Sequence, residues 1–140
     1  MHSKIKLVLI FFFALAVLTQ CSGTGTKTKP IISNSNDSGS TNLYFSRQGG
    51  FVASGVLAKI EVNGSEVGKL GINEHVKHSV SGNFRIKVSG AGIGGLGMGS
   101  DSISGVGDGK NYFYFISVKQ GLLSTKWTIN ETTESGFKSQ

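Results

Sequence analysis

The chain has one cysteine and one proline among 140 residues. A single thiol cannot close an internal disulfide, so no disulfide framework staples this fold. Beyond residue 21 no stretch repeats apolar side chains at helical spacing, which removes helical bundles and βαβ units. No apolar run reaches the roughly 20 residues that span a bilayer; the N-terminal run 7–18 stops short. No serine sits in a G-x-S-x-G elbow, and no Gly-Lys pair is followed by Ser or Thr. Acidic residues are few, 8 Asp and Glu against 14 Lys and Arg. The surplus cations are nevertheless scattered singly (Lys59, Lys69, Lys77, Lys87, Lys110, Lys119, Lys126). A nucleic-acid site gathers them on one face, so no nucleic-acid partner is expected. The charge reads as solvated surface or weak attraction to anionic lipid headgroups.

What is present begins with Lys4 and Lys6, a short basic start, followed by the apolar run 7–18 and then Thr19, Gln20 and Cys21. That order is the secretory signal pattern. Leu18-Thr19-Gln20-Cys21 resembles the lipobox of bacterial lipoproteins, with Gln20 where that pattern carries Gly, Ala or Ser. The resemblance implies that the Cys21 thiol takes a diacylglycerol (lipidation), that the signal is cut just before it, and that the new amino group is acylated. Ser22 after the cysteine then implies sorting to the outer membrane, facing the periplasm. Two alternatives stay open: simple secretion after Ala14-Leu15-Ala16, and an uncleaved anchor. The expected organisation is a signal peptide over 1–20, a flexible polar tether over 21–41, a β-sandwich over 42–130 and a C-terminal tail over 131–140. The tether is assigned because its Ser, Thr, Gly, Asn and Lys cannot bury enough surface to fold.

From Asn42 onward the period is two. Val56, Ala58, Ile60 and Val62 alternate with Leu57, Lys59 and Glu61, and Asn63-Gly64 then marks a hairpin, because both residues accept positive φ. Alternation resumes over 75–80; Phe84, Ile86 and Val88 share one face, and a short strand covers 102–106. The longest strand, 111–120, places Tyr112, Tyr114, Ile116 and Val118 inward and leaves Phe113 and Phe115 on the other face. A last strand over 125–130 carries Trp127 and Ile129. The fold class expected is all-β: a small antiparallel β-sandwich, transthyretin- or Ig-like, of about seven short strands. Its expected core is Val56, Ile60, Val62, Phe84, Ile86, Val88, Tyr114, Ile116, Val118 and Trp127.

Lipobox, polar tether, an aromatic strand with Arg47, Ile60-Glu-Val-Asn-Gly-Ser-Glu-Val-Gly-Lys-Leu, Phe84-Arg-Ile-Lys-Val and Gly109-Lys-Asn-Tyr-Phe-Tyr-Phe resemble the bacterial lipoprotein domain-of-unknown-function family numbered 2846. The hairpin is also similar to that of PEGA domains, which share a transthyretin-like sandwich. The resemblance implies a fold and a membrane-held location, and no catalytic residues.

Residues with a chemical pretext have plainer readings. Gly92-Ile-Gly-Gly-Leu-Gly97 fits G-x-G-x-x-G, but a phosphate site needs those glycines to open a helix, and nothing helical follows. His75 and His78 are three apart and point to opposite sides of a strand, so they do not chelate one metal together. Asp101 and Asp108 flank glycines as turn residues do. The expectation is therefore a non-catalytic binding or accessory domain with no cofactor and no metal, held by its lipid anchor and meeting an envelope protein or glycan. Phe113, Phe115 and Trp127 are the candidate partner surface, provided no other element covers them. The alternative is an envelope enzyme or small-ligand protein using the glycine-rich stretch from Gly90 to Gly109 with His75 and His78.

Overall fold

The computed structural model describes residues 23–33 and 39–140. The signal pattern and Cys21 lie outside the described residues. Eight strands follow one another: β1 (Thr41–Arg47), β2 (Ala58–Val62), β3 (Ser65–Leu70), β4 (His75–Val80), β5 (Phe84–Gly90), β6 (Asp101–Gly105), β7 (Asn111–Gln120) and β8 (Thr125–Thr132). A short helix, α1 (Glu134–Lys138), ends the chain. The strands form two four-stranded sheets, ordered β4-β1-β7-β8 and β3-β2-β5-β6. The all-β sandwich is thus the fold, with eight strands instead of about seven. One pair is not antiparallel: β1 lies parallel to β7 from Asn42 opposite Asn111 to Arg47 opposite Ile116. Side-chain alternation is the same for either direction, so sequence period cannot distinguish them.

The Asn63-Gly64 hairpin forms as its residues require, with φ of 52° and 82°. The inward-facing residues of both sheets make one core. Ile60, Val62, Phe84, Ile86, Val88, Tyr114, Ile116 and Trp127 are buried there, joined by Leu43, Phe45, Ala58, Leu70 and Ile129. Val56 and Val118 pack against that core while only partly buried.

Two described segments, 23–33 and 131–140, differ from their expected roles. Within the segment read as a tether, the Thr24 amide donates to the Lys69 carbonyl (2.8 Å). Thr24 Oγ1 accepts from the Lys69 amide at 2.8 Å. Thr26 and His75 exchange a pair of backbone hydrogen bonds. Further on, the Ser33 amide donates to the Tyr44 hydroxyl, and its carbonyl accepts from Asn111 Nδ2. Residues 23–33 are therefore a strap lying on the body, bridging β3 to the otherwise open edge of β4. Backbone pairing holds it, and composition does not register backbone pairing.

Nor is 131–140 a tail. β8 continues to Thr132, and Thr133 caps α1 by accepting from the Gly136 amide at 3.1 Å. Glu134 and Lys138 pair one turn apart along the helix. Five residues are too short to show a helical period. The helix is set by its cap and by the burial of Phe137.

Candidate functional site

Strand directions bring four connections to one end of the sandwich: β1–β2 (48–57), β3–β4 (71–74), β5–β6 (91–100) and β7–β8 (121–124). Arg47 organises this end. It is buried at the close of β1, and its guanidinium donates to the carbonyls of Leu70 (2.9 Å), Ala53 (2.8 Å) and Val56. The same group lies over the Trp127 ring, 4.9 Å from its centroid. Burial pushes its pKa down, and the Glu74 carboxylate pulls the other way. One rigid fork of donors thus fixes the long β1–β2 loop against β3 and β8.

The neighbouring glycine-rich loop docks beside it. Gly94 lies next to Val56, and the Gly90 and Gly95 backbones approach so closely that a Cβ on either would collide with the other. Gly92 and Gly97 have positive φ. The G-x-G-x-x-G pattern is therefore explained by turns and close backbone approach. Its helical content is a single 3-10 turn, Ile93–Gly95. The Gly99 carbonyl accepts from the Trp127 amide, and Asp101 Oδ2 accepts from the Ile129 amide (3.0 Å), which ties the edge of β8 to β6. Asp101 is thus more than a turn residue. Asp108 does hold a turn, accepting from the Lys110 amide.

With their backbones pinned, these loops turn large apolar side chains outward. Seven large apolar residues are strongly exposed among the described residues, and five are here: Phe51, Ile93, Leu96, Leu122 and Leu123. The last two, at the tip of the β7–β8 hairpin, and Phe51 are at least 96% exposed. Lys119 and Lys126 sit opposite each other at the base of that hairpin, both exposed.

None of the candidate partner residues belongs to this exposed set, and two of the three are closed off. Trp127 is fully buried in the core beneath Arg47. Phe113 is 5% exposed on the outer face of the β4-β1-β7-β8 sheet, stacked on Tyr44 at 5.0 Å. Phe137 of α1 covers it at 5.4 Å and stacks on half-buried Phe115 at 6.1 Å. Ile32 of the strap completes that cluster. Phe113, Phe115 and Trp127 therefore do not form a common surface. β7 is a central strand with one face in the core, and the strap and α1 cover the other.

The histidines stand apart, as their spacing requires. His75 is buried against Phe137 (5.9 Å), and its Nδ1 has no hydrogen-bond partner among the described residues. His78 is half-buried on the opposite face of β4. Lys27, Lys29, Ser46, Asn73, His75 and Gln140 line a concavity of about 320 Å³ beside the strap. Burial, then Lys29 and Lys27, push the His75 pKa below its ordinary 6.5, and burial lowers that of His78. Below 6.5 the unfolded chain takes up protons that the folded chain refuses, so ν is larger unfolded. Stability is therefore expected to fall as pH drops through 6.5 toward the depressed folded values, the contribution of these two histidines fading well above 6.5. Urea unfolding across that window checks this, and an unchanged pH slope in His75→Gln/His78→Gln would refute it.

Comparison with protein-family models, with curated proteins and with solved structures finds no match for this chain.

Proposed function

We propose that this chain is a non-catalytic accessory lipoprotein of the bacterial cell envelope: a binding β-sandwich held at a membrane, probing an envelope protein or glycan. The observation that carries the reading is the position of Cys21. It is the sole cysteine, and it directly follows a basic start, a short apolar run and the lipobox-like Leu18-Thr19-Gln20. Acyl chains on that thiol and on the new amino group would hold the body firmly, since each buried methylene adds about 0.8 kcal/mol. The strap refines the picture. Thr24, already bonded to β3, is three residues from Cys21, a reach of at most roughly 11 Å. An anchor at Cys21 therefore keeps the body close to the bilayer instead of spacing it away.

The non-catalytic side of the reading is supported by what surrounds the chemically tempting residues. The glycines serve turns and close approaches, and His75 packs on an aromatic ring with its partner histidine on the other face.

Mass spectrometry with membrane fractionation of cells expressing the full chain tests the anchor. The wild-type protein is expected to carry acyl chains on residue 21 and to partition entirely with membranes, whereas Cys21→Ser loses both the added mass and the lipoprotein cleavage. A Cys21→Ser chain with the mass and attachment of wild type would overturn the reading.

A further inference from the structure

We infer that the loop-bearing end of the sandwich is a second membrane contact, in which Phe51, Leu122 and Leu123, with Ile93 and Leu96, enter the interface of an anionic bilayer. The inference deepens the anchored reading above and rests on it for the orientation of the body.

Three observations converge. The first is the concentration of apolar exposure: five of the seven strongly exposed large apolar side chains share one end, contributed by three separate connections. Single exposed apolar residues need no explanation, whereas a gathered set marks a contact surface. These side chains are not loosely placed. Arg47 clamps the β1–β2 loop, and the Gly90–Gly95 approach and Gly99 pairing hold the β5–β6 loop. A two-residue tip, Leu122-Leu123, closes β7–β8, with Gly121 bonded to Ser124 beneath it. A rigid scaffold thus holds apolar side chains in water.

The second observation is where the anchor enters. Gly23 lies against Lys69, Gly71 and Glu74, at the end of β3 and the start of β4, which is this same end of the sandwich. The sheets are four strands wide, roughly 15 Å at ordinary strand spacing. Cys21, two residues before Gly23, is thus held near the loops by covalent reach alone. An acylated residue 21 brings this end toward the bilayer, whereas the opposite end, with Val106, points away.

The third is charge. Lys119 and Lys126 flank the hairpin tip, exposed and without an ion pair among the described residues. Lysines set behind an apolar tip reach back to lipid phosphates while the tip enters the headgroup–acyl boundary. Acidic groups at this end are already engaged, Glu74 with Lys27 and Asp101 with the Ile129 amide. The surface therefore fits anionic lipid.

The test reads depth at each end of the full-length chain, reconstituted into phosphatidylethanolamine vesicles containing phosphatidylglycerol. Leu122→Trp and, on a separate loop, Phe51→Trp report the loop-bearing end; Val106→Trp reports the opposite one. All three replace exposed residues, and buried Trp127 supplies the same background in each. Brominated acyl chains are expected to quench the first two reporters severalfold more than Val106→Trp. Leu123→Ser beside Leu122→Trp should reduce that quenching. Equal quenching at both ends, in protein that still floats with the vesicles and carries acyl chains, overturns the docking inference and leaves the anchor intact. Because the readout is local, preferential quenching at residues 51 and 122 supports docking even if mass spectrometry finds no acylation, in which case the anchor reading alone fails. Failure to float overturns both. If Leu122→Ser/Leu123→Ser converts an oligomer to a monomer while the reporters stay unquenched, this end joins copies of the chain instead.

Discussion

Arg47→Ala is expected to destabilise the fold by about 3–5 kcal/mol, because it takes a charged donor from three buried or half-buried carbonyls and removes the guanidinium that lies over the Trp127 ring. The carbonyls of Ala53, Val56 and Leu70 all accept from this one side chain, and the Ala53 carbonyl accepts from the Val56 amide as well. Ala53 has a positive φ of 57°, so the loop it belongs to has little preference of its own for the observed path. Losing the clasp should release residues 48–57 first and expose Trp127 next. Urea unfolding gives the magnitude, and amide hydrogen exchange shows whether the β1–β2 loop opens before the sheets do. Arg47→Lys should recover less than half of the loss. An ammonium group lacks the planar fork that meets spread acceptors and the broad, weakly hydrated cation that lies over Trp127. A loss below about 1 kcal/mol in Arg47→Ala would mean that the loop is held by other contacts.

Phe137→Ala should cost about 3 kcal/mol, near the lower end for a buried phenylalanine, because a terminal helix can melt without disturbing the sheets. Its ring covers Phe113 and Phe115 and meets Tyr44 at 6.2 Å and His75 at 5.9 Å. Without it, the outer face of the β4-β1-β7-β8 sheet becomes a contiguous aromatic surface. Increased dye binding and concentration-dependent association should accompany the loss of stability. Phe137→Leu should restore most of both, since the site asks mainly for apolar volume. If Phe137→Ala remained as stable as wild type and monomeric, α1 would be an ornament and the strap with Ile32 would be the effective cover.

The two residues differ in how readable they are. Arg47 looks like any strand cation until the path of the β1–β2 loop is known, because its acceptors are backbone carbonyls that carry no side-chain signature. Phe137 sits in a polar terminal stretch, Glu134-Ser-Gly-Phe-Lys-Ser, where one apolar residue makes no pattern. Phe113 and Phe115, by contrast, announce a second apolar face on β7. What covers that face is invisible from within β7. The exposed Leu122-Leu123 pair was legible as a loop but not as part of a cluster. Its companions, Phe51, Ile93 and Leu96, are distant in sequence and meet it only when two sheets stack.

Local sequence pattern was enough for the all-β class, the inward faces of β2, β5 and β7, the Asn63-Gly64 turn and the opposite facing of the two histidines. Each follows from local chemistry: side chains alternate along a strand, and few residues accept a left-handed backbone. Tertiary structure alone decided the parallel β1–β7 pairing, the strap and helix that cover the aromatic face, the Arg47 clasp, and the gathering of exposed apolar loops at one end. These depend on backbone hydrogen bonds and contacts between distant segments, and the free energy of such contacts is not written in the periodicity of either segment alone.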